Sequence, residues 1–251
     1  MNTLFDLTGK SAIVTGASTG LGRGMTLGLA SAGADIVLVD RVPSDVVAEE
    51  VQAVGRRAVT VVADLSQMAS VDTVIQAALR EFGKVDILIN NAGIIRRTPA
   101  IDFSEQDWDD VMTLNAKAVF FLSQAAARDM QKRSYGKIIN ISSLLAFQGG
   151  ILVPSYAASK GAVAQITKAL ANEWAQHGIT VNAIAPGYMA TNNTRPLRED
   201  PVRSKTILER IPAGRWGEPD DLRGAAIFLA SAASDYVNGH VLVVDGGWLA
   251  R

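Results

Sequence analysis

The chain has 251 residues and a mass of 26.6 kDa, enough for one large domain or two small ones. Its 48% hydrophobic and 20% charged residues indicate a globular protein, and a formal net charge of -1 offers no basic field to attract nucleic acid. Cysteine is absent, which excludes disulfides, thiol nucleophiles and cysteine-ligated zinc. Residues 1–8 do not form a signal peptide, and no apolar stretch is long enough to span a bilayer, so we expect a cytoplasmic protein without a membrane partner.

A strand, a glycine-rich turn and a helix are predicted near the start of the chain. The apolar run from Ser11 to Thr15 leads into Gly16-Ala-Ser-Thr-Gly20-Leu-Gly22, and a helical pattern follows as far as Ala30. Such glycines let backbone N–H groups approach a pyrophosphate, whose negative charge the helix N-terminus favours. The spacing Gly-x-x-x-Gly-x-Gly differs from the commoner Gly-x-Gly-x-x-Gly, so on these residues alone an ordinary glycine-rich turn is an equal alternative.

The second predicted strand, from Asp35 to Val39, ends on Asp40. An acidic side chain at this position accepts hydrogen bonds from the ribose hydroxyls of an adenosine and repels a 2'-phosphate. The sequence therefore favours NAD over NADP as cofactor. Arg41, the next residue, is able to attract that phosphate, so NADP stays an open alternative.

Strand and helix patterns alternate along the rest of the chain. A helix at 44–54, a strand at 58–62, a helix at 70–82 and a strand at 86–89 precede the loop Asn90-Asn91-Ala92-Gly93. This alternation predicts an α/β fold with one doubly wound parallel sheet of about seven strands and helices on both faces. No linker divides residues 1–251, so we expect a single Rossmann-type domain, with the loop at the carboxyl edge where such sheets bind ligands.

The central part of the chain carries a candidate proton-transfer site. A long amphipathic helix at 107–131 has Asn115 in its middle, and a strand at 137–141 leads to Ser143. The next helix, which Gly178 closes, carries Tyr156 and Lys160 one turn apart, so the ammonium is expected to stabilise the ionised phenol. A chance Tyr-x-x-x-Lys pair is common, and the motif needs the context of the whole chain.

The final third of the chain contains one long irregular insertion. A strand at 180–184 leads to Pro186-Gly187, and residues 188–215 are predicted to form a substrate lid with short helices. A helix at 220–230 and a strand at 241–244 complete the sheet.

Taken together, these motifs resemble the short-chain dehydrogenase/reductase family in order and spacing over nearly the whole chain. The resemblance rests on Thr15-Gly16-x-x-x-Gly20-x-Gly22, Asp64, Asn90-Asn91-Ala92-Gly93, Asn115, Ser143, Tyr156-x-x-x-Lys160, Pro186-Gly187 and Asp245-Gly246-Gly247. It implies a nicotinamide cofactor held by Gly16, Ser18, Thr19, Gly20, Leu21, Gly22, Asp40, Asp64, Leu65, Asn91, Ala92, Gly93, Tyr156, Lys160, Pro186, Gly187, Met189 and Thr191.

The resemblance also implies a catalytic role for four residues and needs no metal. Tyr156 would exchange a proton with the substrate oxygen, Ser143 would hydrogen-bond that oxygen, Lys160 would lower the pKa of Tyr156 and hold the nicotinamide ribose, and Asn115 would anchor a water chain to solvent.

Within the family, the segments around Gly187 and Arg210 and the C-terminus resemble members that act on deoxy sugar acids from uronate or pectin breakdown and use NAD(H). A sugar acid needs a cationic partner for its carboxylate, and the candidates are Arg96, Arg97 and Arg195, with Gln148 and Asn192 on the hydroxyls. Any one of these arginines is as readily a surface residue.

The alternatives are a reductase of 3-oxoacyl thioesters, a polyol dehydrogenase, or a dinucleotide sensor without catalysis. The resemblance further implies a homotetramer, with helices around Asn115 and Tyr156 pairing between subunits and an exposed Trp248-Leu249 tail packing across a second interface.

Overall fold

Seven parallel strands form the centre of the molecule, which a computed structural model describes from residue 3 to residue 251. Their order across the sheet is β3-β2-β1-β4-β5-β6-β7, so the direction of winding reverses between β1 and β4. A ligand crevice is expected at the carboxyl end of that reversal. The strands are β1 Ser11–Thr15, β2 Asp35–Asp40, β3 Ala58–Val62, β4 Ile87–Asn90, β5 Gly136–Ile141, β6 Ile179–Pro186 and β7 Val241–Val244. The predicted doubly wound sheet is confirmed.

Helices cover both faces of the sheet. One apolar layer joins the sheet to α1, α2 and α9, and a second joins it to α3, α5 and α6. The central strands are consequently buried along their whole length, as the uninterrupted apolar run of β4 predicts. The helices in the described part of the chain are α1 Gly20–Ser31, α2 Asp45–Ala53, α3 Ser70–Phe82, α4 Glu105–Met112, α5 Ala118–Arg133, α6 Pro154–Trp174, α7 Arg195–Glu199, α8 Pro201–Arg210 and α9 Arg223–Ala230.

The long helix predicted at 107–131 is present and runs without a break from 105 to 133, but one of its turns is irregular. It consists of α4 and α5 joined by a π-helical turn, Thr113–Lys117, and Asn115 lies in that turn. A π turn inserts one extra residue into the helix and is found disproportionately at functional sites. The reason for it here lies in the tertiary contacts of Asn115, which are described below.

Helix α6 ends as the sequence predicts. It continues into a short 3-10 turn, Ala175–His177, and Gly178 then adopts a left-handed conformation with φ of 71°. Glycine is favoured there because it has no side chain to oppose that conformation. No helix between residues 3 and 251 is long and apolar enough to cross a membrane.

The expectation of an exposed C-terminal Trp248-Leu249 tail was wrong. Trp248 is only 4% exposed and packs in its own chain against Tyr188, with the guanidinium of Arg210 lying 4.1 Å from its ring centroid. Arg251 donates hydrogen bonds to the carbonyl oxygens of Arg210 and Glu209 at the end of α8. The indole therefore buries its large apolar surface inside its own subunit. The hydrogen bonds of Arg251 connect the C-terminus to the end of α8.

Candidate functional site

The glycine-rich turn between β1 and α1 is too tight for any side chain at two positions. A Cβ on Gly16 would lie 2.8 Å from Nδ2 of Asn91, and one on Gly22 would lie 1.9 Å from the carbonyl oxygen of Gly16. Gly20, by contrast, faces the cleft, where the nearest atom to its Cβ position is Cγ2 of Thr191 at 3.6 Å. The backbone at the start of α1 is therefore open to a ligand, and its N–H groups suit an anion.

The loop after β4 is bonded directly to this glycine turn. Nδ2 of Asn91 donates to the carbonyl oxygens of Thr15 and Gly16 at 2.9 and 3.1 Å. In return, Oγ1 of Thr15 accepts from the backbone N–H groups of Asn91 and Ala92. The amide of Asn91 thus holds two walls of the cleft together.

Asp40 marks one end of the cleft. Its carboxylate accepts hydrogen bonds from both the backbone N–H and the hydroxyl of Ser18, and from the backbone N–H of Arg41 at 2.7 Å. These donors fix the carboxylate in place at the carboxyl end of β2. Asp64 lies outside the cleft and accepts from the backbone N–H of Ser66, and that hydrogen bond lowers the pKa of its carboxyl.

Tyr156 and Lys160 lie at the other end of the cleft, one turn apart on α6. Burial raises the pKa of the Tyr156 phenol, while the neighbouring Ser143 hydroxyl and the charge of Arg97 act to lower it. Lys160 is buried 5.5 Å from the centroid of the phenol ring and donates to the carbonyl oxygen of Ile141 at 2.7 Å. Burial lowers the pKa of Lys160 to about 8, and the cation whose charge lowers the pKa of the phenol is Arg97.

Asn115 is fully buried, and both ends of its side-chain amide make hydrogen bonds. Its Oδ1 accepts from the backbone N–H of Ile94, and its Nδ2 donates to the carbonyl of Ile94 at 2.9 Å and to Oγ of Ser159 at 3.2 Å. Ser159 in turn donates to the carbonyl oxygen of Tyr156. The π turn therefore connects the loop after β4 to the helix that carries the phenol.

The arginines proposed to bind a carboxylate are in three different situations. Arg96 is paired with Asp107 and Asp110, each at 3.1 Å, and Arg195 is paired with Glu199 at 2.6 Å. Arg97 has no ion pair in the described chain, and its Nη2 donates to the carbonyl oxygen of Asn193 at 2.7 Å. Only Arg97 is both free of a carboxylate and close enough to affect the phenol.

Of the predicted polar contacts, Asn192 lines the cleft, whereas Oε1 of Gln148 accepts from the indole N–H of Trp248 at 3.2 Å. Between residues 3 and 251, no group of three or more histidine, aspartate or glutamate side chains is arranged to hold a metal ion. The cleft has a volume of about 550 Å³, in the range expected for a ligand site.

A family model described as short chain dehydrogenase matches residues 10–202. The chain belongs to the short-chain dehydrogenase family. It is 63% identical over 248 residues, 98% of both chains, to 2-dehydro-3-deoxy-D-gluconate 5-dehydrogenase from Dickeya dadantii (strain 3937).

Two solved structures of short-chain dehydrogenases have the same fold over nearly the full chain. One is a candidate 2-deoxy-D-gluconate 3-dehydrogenase from Agrobacterium tumefaciens with bound NADP, with a TM-score of 0.94, 53% identity and full coverage of both chains. The other is a gluconate 5-dehydrogenase from Burkholderia cenocepacia J2315 in complex with NADP and tartrate, with a TM-score of 0.95, 44% identity and coverage of 99% of this chain and 98% of that one.

The cleft of this short-chain dehydrogenase brings together most of the residues singled out from the sequence. Six of the predicted cofactor residues do not line it, and each has another contact or position: Ser18 bonds to Asp40, Gly22 packs on Gly16, Asp64 bonds to Ser66, Pro186 ends β6, Gly187 packs on Asp245, and Met189 is only 4% exposed in the core. The other predicted residues that do not line it are Arg96, Arg97, Asn115, Ser143, Gln148 and Arg195. Those that line it are Gly16, Thr19, Gly20, Leu21, Asp40, Leu65, Asn91, Ala92, Gly93, Tyr156, Lys160, Thr191 and Asn192.

Sequence reasoning missed several residues of the same cleft. Asn193, Arg198, Glu218 and Pro219 also line it. Pro219 lies there because its carbonyl packs against Gly24 of α1, a contact that a second glycine-rich stretch inside α1 could have suggested. No sequence pattern distinguished Arg198, since it is one of several charged residues in a polar segment.

Proposed function

We propose that this protein is an oxidoreductase that interconverts a secondary alcohol and a ketone on a deoxy sugar acid of the 2-dehydro-3-deoxy-D-gluconate type. The observation that carries the proposal is that Tyr156, which lines one end of a cleft that begins at a glycine turn, has the hydroxyl of Ser143 and the uncompensated cation Arg97 as neighbours of its phenol. The names of the relatives from Dickeya dadantii and Agrobacterium tumefaciens support a sugar-acid substrate.

The residues of the cleft fit a nicotinamide dinucleotide. The open backbone at Gly20 suits the pyrophosphate, and the fixed carboxylate of Asp40 suits the adenosine ribose. Lys160, beside Tyr156, suits the ribose of the nicotinamide end. Such a cofactor supplies the hydride acceptor or donor for the substrate carbon.

Tyr156 exchanges the proton at the substrate oxygen in this proposal. The hydroxyl of Ser143 donates a hydrogen bond to that oxygen as negative charge develops on it. Bound cofactor would exclude water from the cleft, and the charged form of Lys160 would then favour the ionised phenol. Asn115 holds the loop and the helix in register and anchors the water chain through which the proton reaches solvent.

We propose NAD as the preferred cofactor, because the negative charge of Asp40 opposes a 2'-phosphate. Arg41 also lines the cleft, and NADP was bound in the structures of both solved relatives reported above, so NADP is the competing cofactor. Measuring the rate with each cofactor separates them.

Arg97 is the proposed ligand of the substrate carboxylate, and the segment 188–215 is the proposed lid of one domain that spans the whole chain. Arg97 already bonds to Asn193 of that segment, so a substrate bound by Arg97 would also be in contact with the lid. The tartrate in the Burkholderia cenocepacia relative supports a site for carboxylates in this group of proteins.

We further propose a homotetramer in which the helices around Asn115 and Tyr156 pair between subunits. Trp108 on α4 and Phe121 on α5 are 41% and 39% exposed, and such apolar surface supports an interface. The buried Trp248 no longer supports a second one.

The decisive experiment follows the absorbance of the reduced cofactor with NAD or NADP and a panel of deoxy sugar acids, aldonates, polyols and 3-oxoacyl thioesters. We expect turnover with deoxy sugar acids and NAD, and its loss by a factor of about 1000 or more in Tyr156→Phe, which keeps NAD binding. Turnover only with thioesters or polyols would show that the proposed substrate class is wrong. Unchanged turnover in Tyr156→Phe would refute the mechanism.

A further inference from the structure

Helix α7 carries two arginines, of which one is in an ion pair and the other is not. Arg195 is 67% exposed and is neutralised by Glu199 one turn away on the same helix. Arg198 has no carboxylate within ion-pair distance in the described chain, and it lines the cleft. Its one hydrogen bond is from Nη2 to the carbonyl oxygen of Thr191 at 3.2 Å. The proposed lid therefore presents one uncompensated positive charge to the cleft.

The contacts of Thr191 place this charge beside the glycine turn. The side chain of Thr191 lies 3.6 Å from the Cβ position of Gly20, the first residue of α1. Thr19, the residue before it, makes no side-chain cap, so the first N–H groups of α1 have no side-chain partner. An anion that binds these N–H groups would lie between α1 and the part of the lid that Arg198 contacts.

Two other cations line the cleft, one toward each of its ends. Arg41 follows Asp40 at one end, and Lys160 donates to the carbonyl oxygen of Ile141 at the other end. Glu218 accepts a hydrogen bond from the start of the next 3-10 turn as its N-terminal cap, and no ion pair joins it to Arg198. Arg198 is thus the cation that the glycine turn and the lid share.

We infer that Arg198 binds the pyrophosphate of the dinucleotide from the lid side. This inference rests on the dinucleotide cofactor of the proposed function. The guanidinium presents its donors in a planar fork that matches two phosphate oxygens, so it is suited to bridging the pyrophosphate.

The test compares Arg198→Gln with Arg195→Gln, a matched change on the same helix. Binding of NADH and of NADPH is measured by the quenching of tryptophan fluorescence, binding of ADP-ribose and of adenosine by displacement of NADH, and the KM for a deoxy sugar acid by steady-state kinetics. We expect Arg198→Gln to weaken NADH and ADP-ribose about tenfold to a hundredfold and to leave adenosine unchanged, because only the first two contain the pyrophosphate. Arg195→Gln should bind all three within about twofold of the wild-type value.

Salt provides a second measurement that a merely structural role would not change. Affinity of the wild-type protein for ADP-ribose should fall more steeply with sodium chloride concentration than that of Arg198→Gln, because one charge contact has been removed. Arg198→Lys keeps the charge and should recover part of the affinity, and thermal unfolding of every variant verifies folding.

Three results would overturn the inference. If Arg198→Gln binds NADH and ADP-ribose as tightly as the wild type, Arg198 does not bind the cofactor. A raised KM for the sugar acid with unchanged NADH affinity would make Arg198 a substrate ligand instead. Weakened binding of NADPH alone would place its contact at the 2'-phosphate. A wild-type protein that binds no NADH contradicts the proposed function, and this outcome is distinct from the other three.

Discussion

At the scale of single residues, Arg97 is the cation that both the substrate hypothesis and the electrostatics of Tyr156 require. We predict that Arg97→Ala raises the KM for a sugar acid about tenfold to a hundredfold, the value expected for the loss of a charged hydrogen bond. Arg195→Ala, whose guanidinium is held by Glu199, should leave KM unchanged. Steady-state kinetics measures both, and an unchanged KM in Arg97→Ala would remove this residue from the substrate site.

The same variant should also shift the pH profile. The charge of Arg97 lowers the pKa of the Tyr156 phenol, so its removal raises that pKa. Because oxidation of the alcohol needs the ionised phenol as base, the rising limb of the oxidation rate should move to higher pH in Arg97→Ala.

Lys160 leads to a prediction about stability without cofactor. Its pKa is about 8 in the folded protein and near 10.5 in the unfolded chain, so between these values the unfolded chain binds more protons and the free energy of unfolding rises with pH. Relative to Lys160→Met, which lacks this titration, the wild type should gain about 2 to 3 kcal/mol between pH 7 and pH 10. Urea unfolding at both pH values measures the difference, and parallel pH curves for the two proteins would contradict it.

The sequence could predict residues whose function follows from a local motif. Gly16, Asp40, Tyr156 and Lys160 belong to patterns that place them at strand ends or on one helix face, and the structure puts all four in one cleft. The sequence could not predict the surroundings of Trp248 and Arg198, because these are set by contacts between distant segments. From the sequence alone, an indole near a chain end is predicted to be exposed, and only the structure shows the cluster that buries Trp248.

At the scale of elements, the π turn between α4 and α5 is explained by Asn115. Helix propensity predicts a regular α-helix through this region, since its residues suit one. The amide of Asn115, however, makes two hydrogen bonds to the backbone of Ile94 and one to Ser159, and these bonds hold the turn against α6. Local pattern could identify a buried asparagine that needs partners, but not the extra residue in the turn.

We predict that Asn115→Leu, of similar size but without an amide, destabilises the protein by about 2 to 4 kcal/mol. The reason is that the N–H and carbonyl groups of Ile94 both lose their side-chain partner in a partly buried place. Ser159→Ala is the matched control, because it removes one bond of Asn115 and leaves both bonds to Ile94; its cost should be near 1 kcal/mol. Urea unfolding distinguishes the two, and an equal loss in both would mean that Ile94 is satisfied in another way.

At the scale of the whole molecule, catalysis and stability are placed at opposite edges of the sheet. The candidate site lies at the carboxyl ends of the strands, while a buried ionic cluster lies at the amino end of β4. Asp86, which is 1% exposed, accepts from the backbone N–H of Ser11 and pairs with Lys84 and Arg133. Burial alone would raise the pKa of this carboxyl, but the bonds from Lys84, Ser11 and Arg133 outweigh burial and lower it.

Asp86→Asn should therefore reduce stability without changing the reaction. Five residues of extended chain, roughly 16 Å, separate Asp86 from Asn91 in the cleft, so we expect kcat and KM within about twofold of the wild type. The expected loss of stability is about 3 kcal/mol at pH 7, because charged hydrogen bonds to a buried carboxylate are removed. Glu209→Gln, which breaks the exposed pair with Lys205 at 3.8 Å, is the control and should cost less than 1 kcal/mol.

The pH dependence of this difference tests its cause. Since the folded-state pKa of Asp86 lies below its unfolded value, its contribution is complete above about pH 4 and is lost as pH falls through the folded-state pKa. The gap between wild type and Asp86→Asn should thus be constant from pH 7 to pH 5 and close below pH 4, as followed by urea unfolding. A gap that stays constant to pH 3 would mean that the loss comes from changed packing, and a change in KM would mean that the two edges of the sheet are coupled.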